Sequence, residues 1–327
     1  MASDPGAQLA RVLRALGAES DLPVRLAELH GADLRALMLE VVSRRAAART
    51  PADILRRYEL SEQSHASPVA PALRKLEAGA LALLPAAFTE VTLPPHAPLG
   101  VSSVLGRFSQ DRVLSTLADT EVMSDSTNML ALECARRRRV KRGVEQQVRL
   151  AASHRLLRPR EGAHFGLLAL VSAGRDRGSF QCELDALAEH ISWHLRVIAE
   201  YAPRLALTVR LTDLSGGPRR AALEHDLLER LAPASPAVSW RMDDERQAGR
   251  AYYAQACFAI DADHAGREPV NLVDGGLTDW TARMLSDRKE RLLISGLGSE
   301  RLLQHSGSAG AASSGTPPGN GRALPDA

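Results

Sequence analysis

Between His164 and Gly174 the chain reads HFGLLALVSAG, an apolar run of strand length with no helical spacing. Such a run reads as a central strand buried on both faces, and it limits the fold more than any other segment. Around it, LALTVRLTD (205–213) alternates as a strand should, GRAYYAQACFAIDAD (249–263) carries another, and RLLISGLG (291–298) reads as the last. FQCELDALAEHISWHLRVIAEY (180–201) is an amphipathic helix, and SERLLQHSG (299–307) opens a closing one. The segment MLALECARRRRVKRGVEQQVRLAASHR (129–155) has a long helical pattern, with Ser126 or Thr127 placed to cap it. FTEVTLPPHAPLG (88–100) and VLSTLADTEVMSDSTN (113–128) read as short strands ended by turns. Strands and helices interleave irregularly and no βαβ unit repeats. The expectation is an α+β layer fold with a mixed or mostly antiparallel sheet.

Residues 1–75 form a helical N-terminal extension in this reading. Leu9, Val12, Leu13 and Leu16 lie on one helical face, and Leu34, Leu37, Met38 and Val41 repeat the pattern. Thr50-Pro51, with Asp53 in the first turn, marks a further helix start, and SHASPVAP (64–71) breaks the chain. Residues 76–305 are the expected core. Residues 306–327, rich in Gly, Ser and Pro, are expected to be disordered.

With 327 residues, 45% of them apolar, a sizeable core is available. A formal charge of +2 gives no argument for or against nucleic acid. The opening MASDPGAQLARVLRALG lacks a basic start and an apolar h-region, and no segment is long enough for a membrane helix, so a cytoplasmic protein is expected. Cys134, Cys182 and Cys257 form no CxxC pair, which argues against a disulfide framework or a structural zinc.

His190 and His194 are spaced for one metal ion, but Ile191 stands where a zinc protease needs glutamate and no third ligand is evident; a solvated helix face is the expectation. Arg136–Arg139, with Lys141 and Arg142, could meet phosphate or RNA, but a solvated or partner-facing helix is the simpler reading. IDADHAG (260–266) fails the spacing of a calcium loop.

The remaining block is ISGLGSERLL (294–303). Gly296 and Gly298 alternate and so clear one strand face, where a flat group could lie. Arg301 then offers a planar cation to stack on a ring or hold a phosphate. A tight strand-to-helix turn with a surface arginine is the plainer alternative.

GLGSERLL (296–303) resembles motif 3 of the class II aminoacyl-tRNA synthetases. GRAYYAQACFAI followed by DGGLTDW resembles the segment of histidyl-tRNA synthetase in which a tyrosine pair, here Tyr252 and Tyr253, leads to a G-G-x-x-D turn, here Gly275, Gly276 and Asp279. HFGLLALVSAG is similar to the second strand of motif 2, with Phe165 and Gly174 in register. EVMSDSTNMLALECA resembles the loop that holds the substrate's amino group, with Asp125 and Thr127 at the acid and threonine positions. VTLPPHAPLG is similar to the end of motif 1, the dimerisation motif. These blocks span roughly residues 80–305.

The resemblance implies an antiparallel sheet flanked by helices, a homodimer, and ATP with Mg²⁺ bent over the sheet. Gly296, Gly298, Phe165 and Glu300 would seat the nucleotide, and Arg301 would pack on adenine and reach the γ-phosphate. Arg155 or Arg158 would be the motif 2 arginine at the α-phosphate. The family's two imidazole-reading residues fall at Leu167 and Val171, so histidine is not the expected substrate. The family's arginine ahead of the tyrosine pair falls at Ala248, with Arg250 two residues later. No anticodon-binding domain follows motif 3, so ordinary tRNA charging is not expected. Two functions remain. One is a stand-alone core that adenylates a small or apolar acid for an acceptor or partner protein. The other is a non-catalytic paralogue acting as a regulatory or binding subunit, as in ATP phosphoribosyltransferase.

Overall fold

The computed structural model describes residues 5–60, 69–140, 147–159, 163–250, 252–263 and 268–306. They divide into two compact units, the smaller holding residues 5–60 with Thr116–Asp119 and the larger holding the rest. The expected tail, 306–327, lies outside the described residues except for Ser306.

The smaller unit is helical: α1 (Pro5–Leu16), α2 (Leu22–Ala27), α3 (Gly31–Ala47) and α4 (Pro51–Leu60). Its helix ends follow local chemistry. Gly17, at φ +60°, closes α1 in a left-handed cap with Ala18 N–H donating to the Leu13 carbonyl. Thr50 and Asp53 cap α4 reciprocally: the Asp53 N–H donates to Thr50 Oγ1 at 3.2 Å, and the Thr50 N–H to the Asp53 carboxylate at 3.1 Å.

In the larger unit the order is α5 (Ala70–Ala82), β1 (Thr89–Glu90), β2 (His96–Pro98), β3 (Thr120–Val122), α6 (Ser126–Val140), β4 (Val148–Arg158), β5 (Ala163–Arg175), α7 (Gln181–Tyr201) and β6 (Ala206–Asp213). A π-helical turn leads into α8 (Glu229–Leu231), then β7 (Val238–Met242), β8 (Ala256–Asp263), β9 (Val270–Thr278), α9 (Trp280–Leu285), β10 (Glu290–Gly298) and α10 (Ser299–His305). Eight strands form one sheet in the order β1-β4-β5-β10-β9-β8-β6-β7, parallel only at its two outer pairs. This is the α+β, mostly antiparallel architecture the sequence predicts.

HFGLLALVSAG is the third strand of this sheet. Its even residues Leu168 and Leu170 pack toward α7 with Leu187, Ile191 and Ile198. Its odd residues Ala169 and Val171 pack toward α6 with Leu130, Ala131 and Cys134. A strand with a helix layer on each face has no polar side to show, and that is why the run carries no alternation. No helix among the described residues is long and apolar enough to cross a membrane.

Five expectations are corrected. The helical pattern of 129–155 splits: α6 stops at Val140 and Val148–Arg158 is β4, paired with β5 from Val148↔Ala173 to Arg158↔Ala163. Ala, Leu and Arg favour helix, but eleven residues of ladder against a buried strand outweigh that preference. Asp125 caps α6, since its carboxylate accepts from the Thr127 N–H (2.9 Å) and hydroxyl (2.7 Å). Gly275 and Gly276 do not form a turn but sit inside β9. A Cβ on Gly275 would lie 2.6 Å from the Phe258 ring, and one on Gly276 2.6 Å from the Tyr253 ring, so both glycines make room for neighbouring side chains.

The two remaining corrections concern charged and titratable groups. His190 and His194 face the sheet and are fully buried. Ser295 Oγ lies 2.8 Å from both His190 Nδ1 and His194 Nε2, and Ser172 Oγ lies 2.9 Å from His190 Nε2. Burial holds both imidazoles neutral, pushing His194 down to about 3 and His190 well below its usual value. In the arginine run, Arg136 and Arg137 pair with Glu133 on their own helix, but Arg138 is fully buried and grips Glu290 of β10 through two hydrogen bonds, 2.9 and 2.7 Å. Lys141 and Arg142 lie outside the described residues.

Candidate functional site

Where β10 ends and α10 begins, the α6 side of the sheet opens into a cleft of about 920 Å³. Its floor comes from β5, β9 and β10, one wall from the start of α6, and the other from the loop before β8. The cleft brings together Asp125 and Thr127, Arg158, Phe165 and Leu167, Tyr252 and Tyr253, and Gly296, Gly298, Glu300 and Arg301. Residues separated by more than 170 positions in sequence therefore meet at one place.

Strand pleat separates the two candidate arginines of β4. Arg155 and Arg158 are three residues apart on β4 and point to opposite faces of the sheet. Arg158 turns into the cleft, where its Nε donates to the Ser124 carbonyl (3.1 Å) and its guanidinium lies 5.0 Å from the Phe165 ring centroid. Arg155 lies outside the cleft lining, with its Nη2 2.8 Å from Glu300 and 2.6 Å from His164 Nδ1. Glu300 also accepts from the Gly166 N–H at 2.7 Å, so it fixes α10 to β5. Arg301 is exposed, and its Nη1 donates to the Asn271 carbonyl at 2.6 Å.

Asp125 is the polar centre of the α6 wall. One of its oxygens serves Thr127; the other accepts from the Tyr252 hydroxyl at 3.3 Å and stands 3.9 Å from Arg158. Burial, and then the nearby Asp125 charge, hold the Tyr252 phenol well above its usual range. Tyr253 donates to Asp274 at 3.1 Å.

Two expected positions lie elsewhere. Val171 is fully buried under α6 and does not reach the cleft. Arg250 points along the outside of its loop, with its Nη2 donating to the Asp244 carbonyl at 3.1 Å. The inward arginine is Arg246, which sequence reasoning missed. Its Nη2 donates to Asp274 at 2.7 Å and its guanidinium lies 5.7 Å from the Tyr253 ring. Asp274 was missed as well. It opens into the cleft yet is walled by protein, and desolvation raises its carboxyl above the ordinary range despite Arg246. The signal for the pair was an arginine shortly before the tyrosines and an acid immediately before the two glycines.

The two glycines of the opening block differ. A Cβ on Gly298 would make only an ordinary contact with the Arg301 Cβ at 3.5 Å, so nothing in the chain itself fills the space above it. A Cβ on Gly296 would come within 2.9 Å of the Leu167 side chain. Part of the bare strand face is therefore covered by Leu167, and the part at Gly298 is open.

Carboxylates at the cleft are each engaged: Asp125 with Thr127 and Tyr252, Asp274 with Arg246 and Tyr253, Glu300 with Gly166 and Arg155. Among the described residues no three His, Cys, Asp or Glu side chains come together to hold a metal ion.

No family model and no curated protein matches the sequence. Solved structures do resemble the fold. Apo histidyl-tRNA synthetase of S. aureus aligns with a TM-score of 0.51 and 15% identity over 78% of this chain and 67% of its own. A histidine–tRNA ligase subunit from Alicyclobacillus acidocaldarius aligns at 0.55 and 14%, over 78% of this chain and 96% of its own. A Bacillus halodurans protein described as an ATP phosphoribosyltransferase regulatory subunit/histidyl-tRNA synthetase aligns at 0.54 and 13%, over 72% and 78%. The chain has the class II synthetase-like fold.

Proposed function

We propose that the cleft binds ATP and activates a small α-amino acid, or a related carboxylic acid, as its adenylate for transfer to a carrier, protein or metabolite. One observation carries this reading: two guanidinium groups, Arg158 and Arg301, and the Phe165 ring line the same cleft as the open strand end at Gly298. A purine has a ring to stack on and a bare strand end beside it, and phosphates have two fixed cations. The cleft volume suits a nucleotide with a small acid beside it.

The acid's amino group would meet Asp125, already oriented by Thr127, and its carboxylate would lie toward Arg158. Arg158 would then hold charge that grows at the α-phosphate while the carboxylate attacks and pyrophosphate leaves. Leu167 and Ile294 border the acid's side-chain space and offer no hydrogen bond, which favours a short or apolar side chain.

The test is amino-acid-dependent ATP–pyrophosphate exchange with pooled and then single amino acids. Exchange that is lost in Arg301→Ala and in Arg158→Ala supports the reading. No exchange with any pool removes it.

Two observations favour a second reading, a non-catalytic regulatory or binding subunit. Leu167 covers the bare face over Gly296, and Arg155 is tied to Glu300 rather than free for phosphate. A chain that gives no exchange and co-purifies with another enzyme would support it.

A further inference from the structure

The helical unit has an unusual property. Across residues 6–60 no residue is buried, although the segment contains four helices. Fourteen of the eighteen large apolar side chains exposed among the described residues belong to it, including Leu37, Met38 and Val41 of α3 and Ile54, Leu55 and Tyr58 of α4. Helices of 6 to 17 residues that bury nothing gain little from tertiary packing, and isolated helices of this length are marginal in water. Apolar surface on this scale marks an association site.

We propose that the helical unit pairs with the same unit of a second copy of this chain, with the two α3 helices antiparallel at its centre. Three features select a second copy. The stripe Leu34, Leu37, Met38 and Val41 is symmetric about the point between Leu37 and Met38. Reversing the helix sets Leu34 against Val41 of the second copy and Leu37 against its Met38, which is what a two-fold contact requires. The end turns of α3 differ in charge, with Asp33 in the first and Arg44 and Arg45 in the last, and about the same midpoint Arg35 stands opposite Glu40 of the second copy. Antiparallel pairing therefore joins acid to base at both ends, while parallel pairing opposes like ends. Finally, fourteen exposed large apolar side chains are available across the helical unit, and a stable interface takes roughly 800 Å² per partner. The apolar residues of α3 alone fall short of that, so α1 and α4 supply the remainder. This contact does not depend on the nucleotide reading of the cleft, and it is distinct from the dimer implied by the motif 1 resemblance.

Sedimentation velocity on the full chain at micromolar concentration tests it. Leu37→Lys/Val41→Lys changes two exposed positions, so the fold should persist by circular dichroism while the assembly falls to half its mass. Asp33→Arg and Arg44→Asp should each weaken self-association about tenfold by opposing like charges at both ends. The Arg44 pair with Glu40 is exposed and will not mask this. An equimolar mixture of the two single variants should recover the wild-type mass, because each end then joins opposite charges. A wild-type chain with the mass of one copy, a mass unmoved by Leu37→Lys/Val41→Lys, or a mixture that fails to recover would each overturn the proposal. The last result, with the stripe variant still disruptive, would assign the surface to a different protein.

Discussion

Arg138→Met is the most informative single perturbation of this fold. Arg138 and Glu290 are both almost wholly buried and joined by two hydrogen bonds of 2.9 and 2.7 Å. Replacing the arginine with a side chain of similar length keeps most of the packing but leaves the Glu290 carboxylate buried without its partner. Among the described residues Arg175 also lies within reach, with its Nη1 3.9 Å away. Breaking a buried pair from one side costs ~3–5 kcal/mol, and the residual Arg175 contact puts the expected loss near the lower end, about 3 kcal/mol. Removing both charges in Arg138→Met/Glu290→Leu should cost less than the single change, because hydrocarbon replaces a desolvated pair. The assay is urea unfolding of the three variants and wild type, reading midpoints at constant slope. The pair also braces the site, since α6 starts at the Asp125 wall and β10 ends at the Gly298 floor. Ligand affinity should therefore drop with stability, although Arg138 touches no ligand. A loss below ~1 kcal/mol in Arg138→Met, or a double variant worse than the single, would refute this account of the pair.

Three further outcomes are expected. Gly298→Ala should leave the thermal midpoint within error, since its Cβ meets only an ordinary contact, yet weaken ATP binding by calorimetry; unchanged binding would mean that nothing is seated there. His190 and His194 stay neutral in the fold but take up protons in the unfolded chain near the ordinary imidazole value of 6.5. Stability from this pair is thus complete above pH 6.5 and falls as pH drops below it, by up to ~1.4 kcal/mol per pH unit for each histidine; thermal melts at pH 7 and pH 5 read this, and a midpoint that does not fall would contradict the buried network. Leu167→Ala should free the space over Gly296 at a cost of about 2 kcal/mol, and in exchange assays it should extend activation toward larger amino acids; loss of stability with no change in preference would remove Leu167 from the acid pocket.

The sequence by itself determined the central strand, the strand-to-helix step at Gly298, and several of the residues that line the cleft. Those features are local: an apolar run of strand length without helical spacing reads as a two-sided strand, and Gly296 and Gly298 followed by Ser299, Glu300 and Arg301 read as a strand giving way to a helix. Tertiary structure decided the rest. It turned 148–158 into a strand because β5 offered a ladder, and it put Gly275 and Gly276 inside β9 because Phe258 and Tyr253 needed their space. It also chose Arg158 over Arg155 and Arg246 over Arg250. Each choice rests on which sheet face a side chain leaves from and which charge waits across the sheet, such as Asp274 for Arg246 and Glu300 for Arg155. Spacing along the chain fixes neither, because the partners come from strands and helices that only the folded sheet makes neighbours.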